Sequence, residues 1–262
     1  MKTALITGAA QGIGAAIATT LLQSGYRVIV SDIQIAKGQE TAAALGANAH
    51  FVPLDVRRED HWEQAMQFIG DRWGAPSVVV NNAGISGMQQ PYQPMDPEHI
   101  NSALWQQVHD VNLNGTFLGC RYAIRSMKGN DHHSAIINIS SRSGMVGVPF
   151  ASAYASSKAA VRNHTKSVAL YCAAQGYPVT CNSIHPGAIL TPMWEPMLAM
   201  NPDRDAALRQ LCADVPLQRM GTPEEVAALV AFLCTDAAAY ITGAEFAADG
   251  GIMAGTSATP AR

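Results

Sequence analysis

Residues 3–14 read Thr-Ala-Leu-Ile-Thr-Gly-Ala-Ala-Gln-Gly-Ile-Gly, and this stretch decides the fold. Its apolar start predicts a short buried strand, and the alanine- and leucine-rich residues 14–24 predict a helix directly after it. The glycines between the two allow a tight turn and a close approach of the backbone to a ligand. Because a helix N-terminus presents free amides and the positive end of its dipole, such a turn is typical of a pyrophosphate site. A plain glycine-rich turn is the alternative.

An acidic residue at the end of the second apolar run favours the pyrophosphate interpretation. Asp32 stands eighteen residues beyond Gly14, where a carboxylate accepts the two hydroxyls of an adenosine ribose. The alternative is a surface aspartate that begins a turn. Together the turn and the acid predict a dinucleotide site at these residues: Gly8, Gln11, Gly12, Ile13, Gly14, Asp32 and Ile33.

Short runs rich in valine and isoleucine recur along the chain and alternate with stretches of helical length. The predicted strands are residues 3–7, 27–31, 50–54, 77–81, 135–140, 179–185 and 244–248. The predicted helices are residues 14–24, 59–73, 112–127, 152–174 and 223–235. Strands that are apolar on both faces and alternate with helices indicate a buried parallel sheet with right-handed crossovers. The sequence therefore predicts an α/β fold: a single Rossmann-type, doubly wound parallel sheet of seven strands with helices on both faces.

The chain is predicted to be one domain, residues 1–262, because no second set of repeating units follows the proline-rich segments. Those segments are expected to form two long loops at about residues 86–97 and 188–214. Long loops in a compact fold are usually functional, and ligands of open parallel sheets bind beyond the carboxyl ends of the strands. We therefore expect both loops to border a substrate.

Composition excludes several classes of function. With 17 Lys+Arg against 20 Asp+Glu, the net charge of −3 offers neither a basic surface for nucleic acid nor a polybasic membrane patch. The five cysteines include no Cys-x-x-Cys pair, so neither a disulfide framework nor a zinc site is predicted. A cytoplasmic location is expected, since no signal peptide or apolar span is evident. The low charged fraction, 14%, favours a homo-oligomer.

The spacing Thr-Gly-x-x-x-Gly-x-Gly of the first turn resembles the short-chain dehydrogenase/reductase family. That family's Asn-Asn-Ala-Gly motif stands at residues 81–84, and its Tyr-x-x-x-Lys motif at residues 154–158. Its serine is Ser141, thirteen residues before Tyr154. Further matches are Asn112, Asn182, Pro186, Gly187, Thr191 and the Asp-Gly-Gly of residues 249–251. The resemblance covers nearly all of the chain from residue 3 to about residue 252.

The resemblance implies a catalytic set. Tyr154 is expected to be the general acid/base, Lys158 to bind the nicotinamide ribose, and Ser141 to hydrogen-bond the reacting oxygen. The spacing of four residues places Tyr154 and Lys158 on one helix face, where the ammonium is expected to lower the pKa of the phenol. Asn112 is expected to anchor a proton-relay water, although Asn114 is close enough to compete for that role. A solvated helix face and a strand-end hydroxyl are the alternatives.

The resemblance also implies further ligand contacts. Asp55 and Val56 are expected to border the adenine, with a helix-leading aspartate as the alternative. The remaining residues expected at the cofactor are Asn82, Ala83, Gly84, Tyr154, Lys158, Pro186, Gly187, Ile189 and Thr191. The residues expected at the substrate are Met145, Phe150, Met193, Trp194 and Met197, with Tyr92 and Met200 beside them. Packing in the core is the alternative for this apolar set. His185 is assigned a structural role, and no metal is predicted.

These motifs together predict an oxidoreductase that uses NAD(H) to interconvert a secondary alcohol and a ketone. The apolar loop favours a bulky alicyclic or hydroxysteroid-like small molecule, similar to the substrates of bacterial hydroxysteroid and cyclic-alcohol dehydrogenases. The alternatives are a 3-oxoacyl-carrier-protein reductase and a non-catalytic dinucleotide-sensing protein. By resemblance the assembly is expected to be a homotetramer or homodimer formed through the helices near residues 112–127 and 152–174.

Overall fold

The computed structural model describes residues 1–88, 93–199 and 201–255. In this part of the chain, seven parallel strands form one sheet. Their bounds are β1 Thr3–Thr7, β2 Arg27–Asp32, β3 Ala49–Pro53, β4 Val78–Asn81, β5 Ser134–Ile139, β6 Val179–Pro186 and β7 Glu245–Ala248. Each predicted strand lies within two residues of an observed one, and the predicted fold class is confirmed.

Helices connect the strands on both faces of the sheet. Their bounds are α1 Gly12–Gln23, α2 Ile35–Leu45, α3 Glu59–Trp73, α4 Ser102–His109, α5 Gly115–Met127, α6 Ser152–Ala174, α7 Glu195–Leu198, α8 Arg204–Cys212 and α9 Pro223–Leu233. A search of the described residues finds no helix that is both long enough and apolar enough to cross a membrane.

The strand order, β3-β2-β1-β4-β5-β6-β7, positions the site. The chain first builds the sheet outward from β1 through β2 to β3, and then returns to add β4 on the other side of β1. The connections after β1 and β4 therefore leave on opposite faces and open a crevice at the carboxyl ends of the strands.

Two apolar layers hold the helices on the sheet. Within β1, Leu5 points to one layer while Ala4 and Ile6 point to the other. The same alternation holds in β2, β4 and β5, because successive side chains of a strand face opposite sides. One layer packs against α1 and α9, and the other against α3, α5 and α6. Both faces being covered explains why these four strands carry buried apolar side chains on both sides.

Three helices, α4, α7 and α8, were not predicted from the sequence, and α2 was expected only as a solvent-facing helix start at Lys37. Two of these, α7 and α8, together with the short 3₁₀ turn Pro192–Trp194, occupy the predicted loop 188–214, which is therefore largely helical. Few residues in α8 are buried, so it carries no apolar period. The helix begins with an N-cap: the Asp203 side chain accepts a hydrogen bond from the Ala206 amide at 2.9 Å.

A π-helical turn, Asp110–Asn114, joins α4 to α5. The predicted helix 112–127 therefore begins inside this turn rather than as regular α-helix. Such turns widen a helix locally and frequently occur at functional sites. Here the turn carries one of the predicted catalytic residues, Asn112, which is fully buried.

Candidate active site

One cavity of about 520 Å³ lies at the carboxyl ends of the strands. We call it the central cleft; Gly8 and Asp32 line one end, and Ser141, Tyr154 and Trp194 line the other. Most of the predicted site residues line it. The exceptions are Gly14, Asn112 and Met145. A neighbouring cavity of about 460 Å³, bordered by Arg219 and by residues 247–251, contains none of the predicted catalytic residues.

The turn after β1 supplies donors for an anion. The first helical residue of α1 is Gly12, and the preceding Gln11 makes no side-chain cap to the helix. The first turn also contains no acidic residue. The first amides of α1 consequently keep their hydrogens available at the positive end of the helix dipole, which suits a phosphate.

Close backbone packing makes small residues necessary in this turn. Gly8 has φ +63, and a Cβ on it would lie 2.8 Å from the Cα of Ala83. A Cβ on Gly14 would overlap the carbonyl oxygen of Gly8. The Asn82 side chain donates to the carbonyl oxygens of Thr7 and Gly8 at 2.9 and 3.1 Å. The turn after β1 is thus held against the end of β4, where the two strands border the crevice.

Asp32 ends β2 beside this turn and is almost fully buried, with 6% of its surface exposed. Its carboxylate accepts hydrogen bonds from the amides of Ala10 and Gln34 at 3.1 and 3.0 Å. Two amide donors fix the carboxylate in place and leave its other lone pairs for a ligand. The residue is therefore more than a surface aspartate, since it also lines the central cleft.

Lys37 lies closer to the cleft than the sequence suggested. The sequence places it on a solvent-facing helix start, whereas its ammonium donates to the side-chain oxygen of Gln11. The helix α2 begins at Ile35, and its first turn brings Lys37 back over the glycine-rich turn. A cation thus stands beside the glycine-rich turn, although its side chain is exposed.

Asp55 follows β3 and lines the cleft together with Val56. Its carboxylate accepts three hydrogen bonds from the Arg57 guanidinium, the shortest at 2.6 Å. These bonds hold the pKa of the Asp55 carboxyl below its usual range. The carboxylate also accepts from the Arg57 amide, as expected for a residue that leads into α3. Asp55 therefore leads into α3, as in the alternative interpretation, and it also lines the central cleft.

Ser141, Tyr154 and Lys158 come together at the other end of the cleft. Ser141 follows β5 and caps a 3₁₀ turn by accepting from the Ser143 amide at 3.1 Å. Tyr154 and Lys158 lie one turn apart on α6. Lys158 is buried, and its ammonium donates to the carbonyl oxygen of Ile139 at 2.8 Å.

The pKa of Tyr154 differs from the expectation. Burial raises it above its ordinary value, and a hydrogen bond with Ser141 offsets only part of this effect. Lys158 lies 5.8 Å from the centroid of the Tyr154 ring and directs its ammonium at Ile139 instead. Burial also lowers the pKa of Lys158 to about 8. The expected lowering of the Tyr154 pKa by Lys158 is therefore not seen: burial dominates, and the opposing contribution comes from Ser141.

Asn112 lies beside Lys158, whereas Asn114 does not. The Asn112 oxygen accepts from the Ile85 amide at 2.8 Å, and its nitrogen donates to the Ser157 hydroxyl at 3.1 Å. A Cβ on Gly84 would lie 3.2 Å from the Asn112 oxygen and 3.3 Å from the Lys158 nitrogen. Asn114 instead donates to the exposed carboxylate of Asp110. Of the two asparagines, only Asn112 is placed near the catalytic set.

The segment after β6 closes the cleft. Pro186 ends the strand, and Gly187, Ile189 and Thr191 line the cleft after it. Ile189 forms an isolated parallel bridge with Gly221, which holds this segment against the rest of the fold.

His185 is fully buried and does not line the cleft. Its ring contacts the Ser141 carbonyl oxygen at 3.1 Å and the Ser183 hydroxyl at 2.9 Å, which agrees with a structural role. In the part of the chain that the structure describes, no group of three metal-ligating side chains is found.

The apolar residues at the substrate end are partly as expected. Phe150, Met193, Trp194 and Met197 line the cleft, whereas Met145 does not. The sequence did not identify several other lining residues: Met88, Arg142, Ser143, Val148, Leu211, Val215 and Ile252. Adjacency to Ser141 was the one available signal for Arg142 and Ser143. Tyr92 and Met200 lie outside the described residues.

Known proteins resemble the chain over nearly its whole length. A family model described as enoyl-(acyl carrier protein) reductase matches residues 8–253. The cyclopentanol dehydrogenase of Comamonas sp. is 37% identical over 97% of both chains. An NADP-dependent (R)-specific alcohol dehydrogenase of Lentilactobacillus kefiri is 34% identical over 97% of both. The 3-ketoacyl-(acyl-carrier-protein) reductase of Brucella melitensis, solved with NADH, superposes with a TM-score of 0.86 at 27% identity, covering 96% of this chain and 98% of its own.

Proposed function

The chain belongs to the short-chain dehydrogenase/reductase family, and on that premise we propose that it is an NAD-dependent alcohol dehydrogenase and ketone reductase. The observation that carries the proposal is the convergence of Ser141, Tyr154 and Lys158 at one end of a cleft whose other end is a glycine-rich helix start. A purely dinucleotide-sensing protein would have no use for this set. The experiment is to follow NADH absorbance across a panel of cyclic alcohols, steroids, sugars and acyl thioesters.

The residues fit a nicotinamide dinucleotide. The uncapped amides of α1 suit the pyrophosphate, the Asp32 carboxylate suits the adenosine ribose, and the surfaces of Asp55 and Val56 suit the adenine. At the other end, Lys158 and Thr191 would hold the nicotinamide riboside. Bound NAD⁺ supplies the hydride acceptor and a positive ring charge.

Three side chains then carry the proton chemistry of alcohol oxidation. Tyr154 takes the hydroxyl proton as general base, and Ser141 donates a hydrogen bond to the same oxygen. Lys158 keeps its ammonium at pH 7, because its pKa of about 8 is still above that value. The hydrogen bond with Ser141 favours the tyrosinate and so opposes the burial that raises the Tyr154 pKa.

We assign to Asn112 the role of hydrogen-bonding a water through which the proton leaves the site. Its oxygen and the Lys158 nitrogen flank the same point beside Gly84. The two hydrogen bonds that join Asn112 to Ile85 fix the orientation of its side chain.

We propose NAD rather than NADP as the cofactor because Asp32 would repel the 2′-phosphate of NADP more strongly than Lys37 would attract it. Asp32 is buried and fixed by two amides, so it would repel a 2′-phosphate in a poorly screened setting. Lys37 would attract that phosphate, but its exposed ammonium is screened by solvent and already contacts Gln11. The buried carboxylate therefore decides the preference.

The proposed substrate is a bulky alicyclic or hydroxysteroid-like secondary alcohol. Aromatic and thioether side chains at Phe150, Met193 and Trp194 form the apolar wall that such a ring system needs. The 3-oxoacyl-carrier-protein reductase alternative is less favoured, since the relative at 37% identity is by name a cyclic alcohol dehydrogenase while the carrier-protein reductase is 27% identical.

Lys158→Met is expected to weaken both cofactor binding and turnover. Lys158 is assigned both to the nicotinamide ribose and to the proton chemistry. NADH affinity should therefore fall at least about tenfold, and kcat about 10²-fold. Fluorescence titration with NADH and steady-state kinetics measure the two effects. Lys128→Met, at an exposed position outside the cleft, is the matched control. Unchanged NADH affinity in Lys158→Met would contradict the ribose contact.

Trp194→Ala is expected to reorder substrates more than it changes cofactor binding. Loss of the indole should lower kcat/KM about tenfold for a steroid and much less for cyclopentanol, which reaches less of the apolar wall. Trp105→Ala, outside the cleft, serves as the control. An equal loss on every substrate would indicate a packing role for Trp194 instead.

A homotetramer or homodimer is proposed to form through α5 and α6. Exposed apolar side chains support this proposal: Phe117 on α5, and Leu170 and Tyr171 on α6, are 39%, 71% and 51% exposed. The single continuous sheet supports treating residues 1–262 as one domain. All five cysteines are unpaired, which supports the proposed location in the cytoplasm.

A further inference from the structure

Among the described residues, Arg142 is an arginine whose guanidinium has no partner. It follows Ser141, begins the 3₁₀ turn Arg142–Gly144, and lines the central cleft. No described residue hydrogen-bonds or forms an ion pair with its guanidinium, although the side chain is partly buried. Every other described arginine has a carboxylate, an aromatic ring or a carbonyl oxygen within reach.

The charge pattern of the cleft makes this arginine stand out. The acidic residues that line the cleft are Asp32 and Asp55, and both follow strands at the adenosine end. At the reacting end, the lining is mostly apolar, with Arg142 and Lys158 as its cations. The stretches outside the described residues contain no Asp or Glu side chain.

A partly buried arginine in a mostly apolar part of the cleft loses hydration, and none of the described residues supplies it with a counter-charge. Val148 and Phe150 lie on the same connection between β5 and α6 and also line the cleft. In such surroundings a cation raises the local concentration of anions, and a planar guanidinium pairs with a carboxylate through two hydrogen bonds.

The position of the cation relates it to the substrate rather than to the cofactor. Neighbouring Cα atoms are about 3.8 Å apart, so Arg142 stands directly beside the serine that is assigned to the reacting oxygen. Because Arg142 and Ser141 line the same cleft, an anion bound by this guanidinium is close enough to be part of the molecule that carries the reacting alcohol or ketone.

We infer that Arg142 is a specificity-determining residue that binds a carboxylate of the substrate. The preferred substrate is then an alicyclic hydroxy acid, with the corresponding keto acid as product, rather than a neutral cyclic alcohol. This inference rests on the proposed alcohol dehydrogenase function and names its substrate class more narrowly.

The first test needs no turnover. The complex with NADH is titrated by calorimetry with cyclohexanecarboxylate and with cyclohexanecarboxamide, which share a ring but differ in charge. The unaltered protein should bind the carboxylate at least about tenfold more tightly, and Arg142→Gln should remove that difference. Arg142→Lys should keep part of it, since a charge remains without the planar fork. Arg125→Gln, whose arginine lies over the Tyr122 ring, is the control.

The second test measures kcat/KM for 4-hydroxycyclohexanecarboxylate and for its amide. Arg142→Gln should lower the value for the carboxylate by about 10- to 100-fold and leave the amide within about threefold. Equal binding of the two ring compounds by the unaltered protein, or equal losses in the variant, would overturn the inference. Arg142-dependent carboxylate binding without oxidation of any alcohol would keep the anion site and refute the proposed reaction.

Discussion

Tyr154→Phe should lower kcat by at least about 10²-fold on the best substrate. The variant loses one hydroxyl at the reacting centre, and the remaining ring still fills its place on α6. Ser141 remains beside the substrate oxygen but is a poor proton acceptor by itself. Since the lost interaction forms only as the proton moves, kcat and kcat/KM should fall together.

The decisive comparison for Tyr154→Phe is between turnover and cofactor affinity. NADH binding, measured by fluorescence titration, should stay within about twofold of the unaltered protein, because Lys158 and the glycine-rich turn are intact. Tyr240→Phe removes a hydroxyl from a fully exposed tyrosine and should leave both quantities unchanged. Near-normal turnover of Tyr154→Phe would show that another group moves the proton.

Exchange of Asp32 for Ala together with Ile33→Arg should reverse the cofactor preference. Loss of the carboxylate removes charge-assisted hydrogen bonds to the ribose, so kcat/KM with NAD should fall at least about tenfold. The new guanidinium, at a position that is 65% exposed and lines the cleft, can pair with a 2′-phosphate. The ratio of the two efficiencies should therefore change by about 10² or more.

Two further variants separate charge from folding in this experiment. Asp32→Asn keeps an acceptor for one of the amides that hold the carboxylate, and should still lose discrimination against NADP. Lys37→Gln removes the cation beside Gln11, and should reduce whatever NADP activity the unaltered enzyme has. Equal use of both cofactors by the unaltered enzyme would contradict the role given to Asp32.

The sheet was predictable because its signal is local. Most strands carry buried apolar side chains on both faces, and the glycine-rich turn marks the change from strand to helix. Only the start of helix α2 was predicted, because Gly38 and Ala42 are its buried residues and it shows no apolar stripe. Gly38 reads as a turn residue in the sequence, yet a Cβ there would overlap the Phe51 ring. A packing requirement of this kind exists only once the strand and the helix have met.

The composition of the site was predictable, but its electrostatics were not. Spacing brings Tyr154 and Lys158 onto one helix face, whereas the direction of the ammonium depends on the Ile139 carbonyl from another element. The same limit applies to Lys37 and Arg142, whose surroundings are set by chain segments distant in sequence. Met145 shares a connection with Phe150, and sequence alone does not say which of the two faces the cleft.

The π-helical turn Asp110–Asn114 makes the site depend on helical phase. A regular α-helix advances about 100° per residue, and a π turn holds about one residue more than an α turn. Deleting one residue of this turn other than Asn112 would restore a regular α-helix and would leave every predicted catalytic residue in the chain. The faces of α4 and α5 would then be rotated against each other, and the Asn112 side chain would leave its two partners on Ile85. The position of the Asn112 side chain therefore depends on the number of residues in this turn as well as on their identity.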